Sequence, residues 1–238
     1  MPLASDALRA AFAVLAVLVA GGFVAGVHRS AVAGGASRAE ARRTTLRWAA
    51  AVAGWMAVTG IAAASGRLRF DTMPPTMMLL VVVVFVASFA IGLSRTGDRL
   101  ALGLPLALLV GFQVFRLPLE LLMHRAYEEG VMPVQMSFSG YNFDILTGVL
   151  ALPVAALLAT GQLPLWVARA WNVMGALLLA NVLAIALMST PTPLRMFHNE
   201  PANLWVTQAP FVWLPAVLVP AALIGHVVIF RRLGRERS

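Results

Sequence analysis

The sequence predicts an all-α bundle of about seven transmembrane helices, and three observations predict it. Of its 238 residues 60% are hydrophobic and only 12% charged, where a soluble domain carries roughly 45–50% and 25%. Mean hydropathy is +0.84. The apolar residues gather into runs near the roughly 20 residues that cross a hydrocarbon layer, joined by short linkers. The whole of 1–238 therefore reads as a single integral-membrane domain, with the lipid bilayer as its first partner.

Taken in order, the expected spans are 8–27, 46–65, 76–94, 100–124, 145–160, 165–188 and 206–230. The first two carry small residues, including Gly21, Gly22, Gly26, Gly54 and Gly60, that suit close helix packing. The third, with Val81 to Val84 and no charge, reads as lipid-facing. The fourth carries polar residues along its length. The fifth is short. Asn172 and Asn181 in the sixth read as interhelical glue, and Arg169 as a side chain reaching back to the interface. The seventh holds Pro210, Pro215 and Pro220, so it should kink or begin as re-entrant structure.

Orientation follows from the arginines, which supply every basic side chain in a chain of net charge +8. Arg29, Arg38, Arg42, Arg43 and Arg47 lie in the first linker, Arg95 and Arg99 in the third, and Arg231, Arg232, Arg235 and Arg237 in the tail. Short loops rich in positive charge stay in the cytoplasm, so the N-terminus is expected outside and the C-terminus in the cytoplasm of a bacterial inner membrane. Ala31, Val32 and Ala33 mimic a signal-peptidase site, but cleavage would put this basic cluster outside; the first segment is read as an uncleaved anchor. The arginines serve topology, and without aromatic interleaving or a binding fold nucleic acid is not an expected partner. With no Cys, disulfides, thiolate metal sites and Cys nucleophiles are excluded.

Function is expected between Gln113 and Asp144. At about 100° per residue, Gln113, Arg116, Glu120, His124 and Glu128 share a stripe roughly 120° wide. Arg116 and Glu120 fall within the hydrocarbon, where an ionisable residue is a functional hypothesis by default. An i,i+4 pair between them is the nearest way to satisfy both, with Pro118 kinking the helix and freeing the Val114 carbonyl. The plainer reading of the stripe is a buried ion pair that locks packing. Asp144 precedes an apolar helix and reads first as its N-cap; Asn142 and Gly140 read as turn residues. The intervening loop, with Met132, Met136, Phe138, Tyr141 and Phe143, is apolar enough to fold over the bundle as a lid. The next outer linker adds Arg195, His198, Asn199, Glu200 and Asn203, with Asn203 expected to cap the last span. Both loops and the charged end of the fourth span should share one face.

Arg116, Glu120 and His124 are thus the catalytic candidates, as fixed positive charge, acid or base, and titratable group. Gln113, Glu128, Asn142, Asp144, His198, Glu200 and Asn203 are the ligand-binding candidates. His124, Glu128, Asp144 and His198 are possible ligands of a divalent metal, although their spacing matches no established metal motif. Haem is a lesser expectation, through His28 and His226 at one face and His124 and His198 at the other. The leading functional expectation is a site opening outward that binds or processes a small amphiphilic or lipid-derived molecule. The alternatives are a proton-coupled carrier and an assembly or scaffold protein. The run RxxLExxxH at Arg116 to His124, then Glu129-Gly130, Pro133 and GxNxDI at Gly140 to Ile145, resembles segments of an uncharacterised family of bacterial polytopic membrane proteins. The resemblance spans about a fifth of the chain and implies no activity.

Overall fold

The computed structural model describes residues 3–235, so Arg237 of the basic tail lies outside the described residues. Among the described residues all regular structure is helical. The helices are α1 (Asp6–Ala33), α2 (Arg38–Ala64), α3 (Thr76–Leu93), α4 (Arg95–Gly103), α5 (Leu106–Phe112), α6 (Arg116–Glu128), α7 (Ile145–Ala159), α8 (Leu165–Met188) and α9 (Val219–Arg235). Six rods are long and apolar enough to cross a membrane: α1, α2, α3, the combined Leu106–Glu128, α8, and Leu214–Arg235. α7 is apolar but only 15 residues long, about 22 Å at 1.5 Å per residue.

The expected span 100–124 is divided differently. Pro105 offers no amide hydrogen and disfavours helical backbone at the residue before it. Leu104 is accordingly extended, at φ −115° and ψ 141°. Arg95 to Gly103 thereby becomes the separate helix α4, which packs on α1, α3 and α9. The long rod begins only at Leu106. It tightens into a 3₁₀ turn at Gln113–Phe115 before continuing as α6, so the irregularity falls just ahead of Pro118.

α9 is the central rod, packed on α3, α4, α5 and α8. Its entry is a wide π turn at Leu214–Leu218, bearing out the expectation of an irregular start. Pro220 cannot donate to the carbonyl of Ala216, four residues back. Trp55 Nε1 on α2 donates to it instead, at 2.8 Å, and Trp213 Nε1 donates to Met56 O at 3.1 Å. Two indoles therefore staple α2, otherwise packed on α1, to the break in the last span. α3 is only half lipid-facing: Met77, Val84, Ser88 and Gly92 are buried, against α9 among others.

Polar contacts collect at two ends of the bundle. At one end Ser5, the N-cap of α1, donates through N and Oγ to the Glu129 carboxylate, both at 2.7 Å. The Ser5 amide leads in holding that carboxyl below its usual range, with the Ser5 hydroxyl and Arg125 adding to it. At the other end Arg231 and Arg235 both reach Asp98, at 2.5 and 2.6 Å, and Arg169 donates to Leu233 O.

α7 lies against the start of α6 because Gly148 has no side chain there. A Cβ at that position would stand 2.4 Å from the Leu117 backbone nitrogen. Gly148→Ala should push the two helices apart and destabilise the protein by roughly 1–3 kcal/mol, the cost of overpacking. Thermal unfolding in detergent measures this, and an unchanged midpoint contradicts the close approach.

Candidate functional site

The 3₁₀ turn and first turn of α6 aim Gln113, Arg116 and Glu120 into the bundle, where Arg116 and Glu120 are each 1% exposed. The expected Arg116–Glu120 pair does not form. Arg116 is clasped by Asp144, through Nε to Oδ2 at 2.7 Å and through a second, shorter contact from Nη2 to Oδ1. The reason is geometric. A fork of two parallel N–H groups finds both carboxylate oxygens of Asp144 facing it across the α6–α7 contact, whereas i,i+4 neighbours with the base first are poorly aligned.

Asp144 is correspondingly not a side-chain cap: it stands at the N-cap position of α7 but makes no capping bond to that helix's backbone. Its remaining polar contacts are a bond from Thr147 Oγ1 at 3.2 Å and one from its own amide to Asn142 Oδ1 at 3.0 Å. The third guanidinium nitrogen, Nη1, reaches Gly175 O at 3.5 Å and His226 Nε2 at 2.7 Å. Arginine has no acceptor, so Nε2 accepts and the ring proton sits on Nδ1, which donates to Asn172 Oδ1 at 2.8 Å. Asn172 Nδ2 returns a bond to His226 O at 3.2 Å. Gly175 makes room for this, since a Cβ there would meet His226 Cε1 at 2.6 Å and Thr147 Cγ2 at 2.7 Å.

Glu120 is left without a cation. Its carboxylate accepts from Asn142 Nδ2 at 2.8 Å, the same amide that donates to Met136 O, and among the described residues it forms no ion pair. It stands in the wall of a cavity of about 90 Å³, several times the roughly 10–15 Å³ that holds one water. Arg116 and Asp144, engaged with each other, and Thr190 also line it; the rest of the wall is mostly apolar, built from α3 (Val81, Phe85), α6 (Leu119, Met123), α8 (Leu183) and the start of the last span. Asn203 also lines it. Asn203 Nδ2 donates to Ala186 O at 3.0 Å while its Oδ1 is buried without a partner. Asn203 thus pins the end of α8 and does not cap the last span, which begins at Leu214.

The other candidates are not gathered around this cavity. Gln113 donates to Ala222 O at 3.2 Å with its Oε1 unpartnered. His124 faces the loop between α6 and α7: Nδ1 is 2.8 Å from Ser137 Oγ, the ring stacks on Phe138, and Nε2 is 3.8 Å from the half-exposed Glu128. His198 is exposed. Glu200, also exposed, pairs with Arg195 at 2.8 Å, which leads in lowering its pKa. No three His, Asp or Glu side chains among the described residues group as a metal site, because Asp144 is spent on Arg116 and His198 points to solvent. The pairing of histidines for haem fares similarly at His226, whose ring nitrogens both hold bundle partners, and His28 lies at the surface against Thr45.

The α6–α7 and α8–α9 loops do meet, through residues of another kind. Asn199 Nδ2 donates to Gln135 Oε1 at 2.8 Å and Gln135 Nε2 to Ser189 Oγ at 2.9 Å. Met132 and Met136 are buried while Tyr141 and Phe143 stay exposed, so the loop is folded over the bundle on its methionine side.

Breaking a buried pair by removing one partner costs about 3–5 kcal/mol, whereas replacing both with apolar residues is often neutral. Asp144→Asn should therefore lower the unfolding midpoint sharply, and Arg116→Met with Asp144→Leu should recover most of it. A double variant no more stable than Asp144→Asn would contradict the pairing.

The chain belongs to the family described as a domain of unknown function, DUF8737, whose model matches residues 73–234. That stretch contains every member of the buried network. No curated protein and no solved structure matches the chain.

Proposed function

We propose that this is a multi-pass membrane protein whose intramembrane cavity binds a small amphiphile, with Glu120 receiving a hydrogen-bond-donating head group such as an amine or hydroxyl. The observation that carries the reading is a buried carboxyl group, outside any ion pair among the described residues, set in a mostly apolar cavity wall. Such a group costs several kcal/mol unless something satisfies it. Asn203 Oδ1, the other unfilled polar atom in the wall, is also an acceptor, which favours a donor as ligand.

The cavity holds a head group and the first methylenes. The tail leaves between α3 and α8, which both line the cavity and both pack on α9. Counting α7, the chain crosses the bilayer seven times, with the N-terminus outside and the arginine-rich C-terminus inside a bacterial inner membrane. The cavity then lies in the outer half. Arg116, expected to act as free positive charge, is neutralised by Asp144 and acts by positioning: Asp144 holds Asn142 through its amide, and Asn142 holds Glu120.

A proton-relay reading has the line Glu120–Asn142–Asp144–Arg116–His226–Asn172 in its favour. Arg116 interrupts that line, because a guanidinium neither gives up nor accepts a proton within a protein. Binding is the better supported of the two.

Dodecylamine titrated into the protein in neutral-lipid nanodiscs tests the proposal. Loss of one charge-assisted hydrogen bond removes about 1.5–3 kcal/mol, so Glu120→Gln should weaken binding about tenfold or more. Leu183→Trp, which fills the cavity without touching the carboxylate, should block binding as well. Unaltered affinity in both folded variants would sink the proposal.

A further inference from the structure

At the end of the bundle opposite the cavity, arginines divide into two groups. Arg231 and Arg235 pair with Asp98, Arg231 also donates to Gly92 O, Arg232 donates to Ala101 O and Arg169 to Leu233 O. All of these hold α9 to its neighbours. Arg43, Arg47 and Arg99 make no such contact. They converge from α2 and α4 on one cleft of about 500 Å³, closed by Ser30 and the α1–α2 turn. One carboxylate stands beside three guanidiniums there. It is Glu40, committed to a capping box in which it accepts from the Ser37 amide at 2.9 Å and hydroxyl at 2.8 Å.

Topology alone needs arginines near this interface; it does not need them gathered into a concavity with their partners left out. Three guanidiniums beside one carboxylate, on which only Arg43 acts through space, leave positive charge in excess and suit a phosphate, which takes several N–H donors at once. The neighbouring surface says what the phosphate is attached to. On α1, Arg29 stands in the wall of an adjoining groove of about 330 Å³ whose other walls are apolar, among them Phe23, Leu100, Leu104 and Leu108. A hydrocarbon chain fits that groove and a soluble phosphate leaves it empty.

We infer that the cleft between α1, α2 and α4 holds the phosphate of an anionic phospholipid, with an acyl chain along the Arg29 groove. This site is independent of the Glu120 cavity: it shares no residue with it and recognises the opposite charge.

Lipids retained from nanodiscs of phosphatidylglycerol and phosphatidylcholine, read by native mass spectrometry, provide the test. The wild type should retain phosphatidylglycerol preferentially. The variant Arg43→Gln/Arg47→Gln/Arg99→Gln should lose that preference about tenfold or more, given that each interfacial arginine draws anionic lipid appreciably. These side chains are exposed, so folding should persist; the single variant Arg99→Gln, with a smaller loss, serves if the triple does not fold. The control Arg38→Gln/Arg42→Gln removes exposed arginines of the same hairpin that do not line the cleft, and should leave the preference intact. An equal loss in the control would show a diffuse field and overturn the site. So would an unchanged preference in the triple and single variants, or displacement of the lipid by inorganic phosphate.

Discussion

The clasp between Arg116 and Asp144 is the interaction on which this bundle is arranged. Both side chains are almost wholly buried in a protein whose surroundings offer no water in which to leave a charge. Each therefore demands the other, and meeting that demand fixes where α7 begins relative to α6. The helices pay for no side chain at the crossing, because Gly148 admits the Leu117 backbone and Gly175 admits His226. His226 and Asn172 then extend the hydrogen bonding to α8 and α9. Four helices converge on one guanidinium.

From that clasp the geometry of Glu120 follows. Asp144 fixes Asn142 through its backbone amide, and Asn142 donates to Glu120 and to Met136 O with one nitrogen. A residue that looks like a turn former is thus the link between the ion pair, the loop over the bundle and the carboxylate in the cavity. Had Arg116 paired with Glu120 along one helix, Asp144, which lines the same cavity, would have been the group in want of a partner.

The fold was legible to the extent that physics is local. Run length and apolarity gave the rods, and prolines gave the broken entry of the last span at Pro215 and Pro220. The loss of helix at Leu104 was equally local; Pro105 signals it, but an apolar run on both sides of the proline masks the boundary. The stripe on α6 identified which residues need satisfying without saying what satisfies them. Asp144 is 28 residues from Arg116 and His226 is 110 away, and nothing in spacing or periodicity joins them. The capping reading of Asp144 was the local alternative, and a buried guanidinium across the interface outcompetes orphan amides. The glycines at 148, 175 and 225 carry a faint signal as small residues at helical positions; their use, as room for Leu117, His226 and Gln113, requires the packed bundle.

The surroundings of Arg116 and of Glu120 differ in how they treat charge. Around Arg116 each guanidinium nitrogen has a partner, so much of the cost of burying the ion pair is offset within the protein. Around Glu120 the matching stops one bond short: Asn142 supplies a single donor to a carboxylate able to accept several, and the remaining acceptor capacity faces apolar walls. On the proposed reading, a ligand bearing a donor would restore what the fold withholds, and its apolar tail would cost little where lipid surrounds it. Selectivity would then rest on the head group, because the hydrocarbon part would gain almost as much from the bilayer as from the cavity.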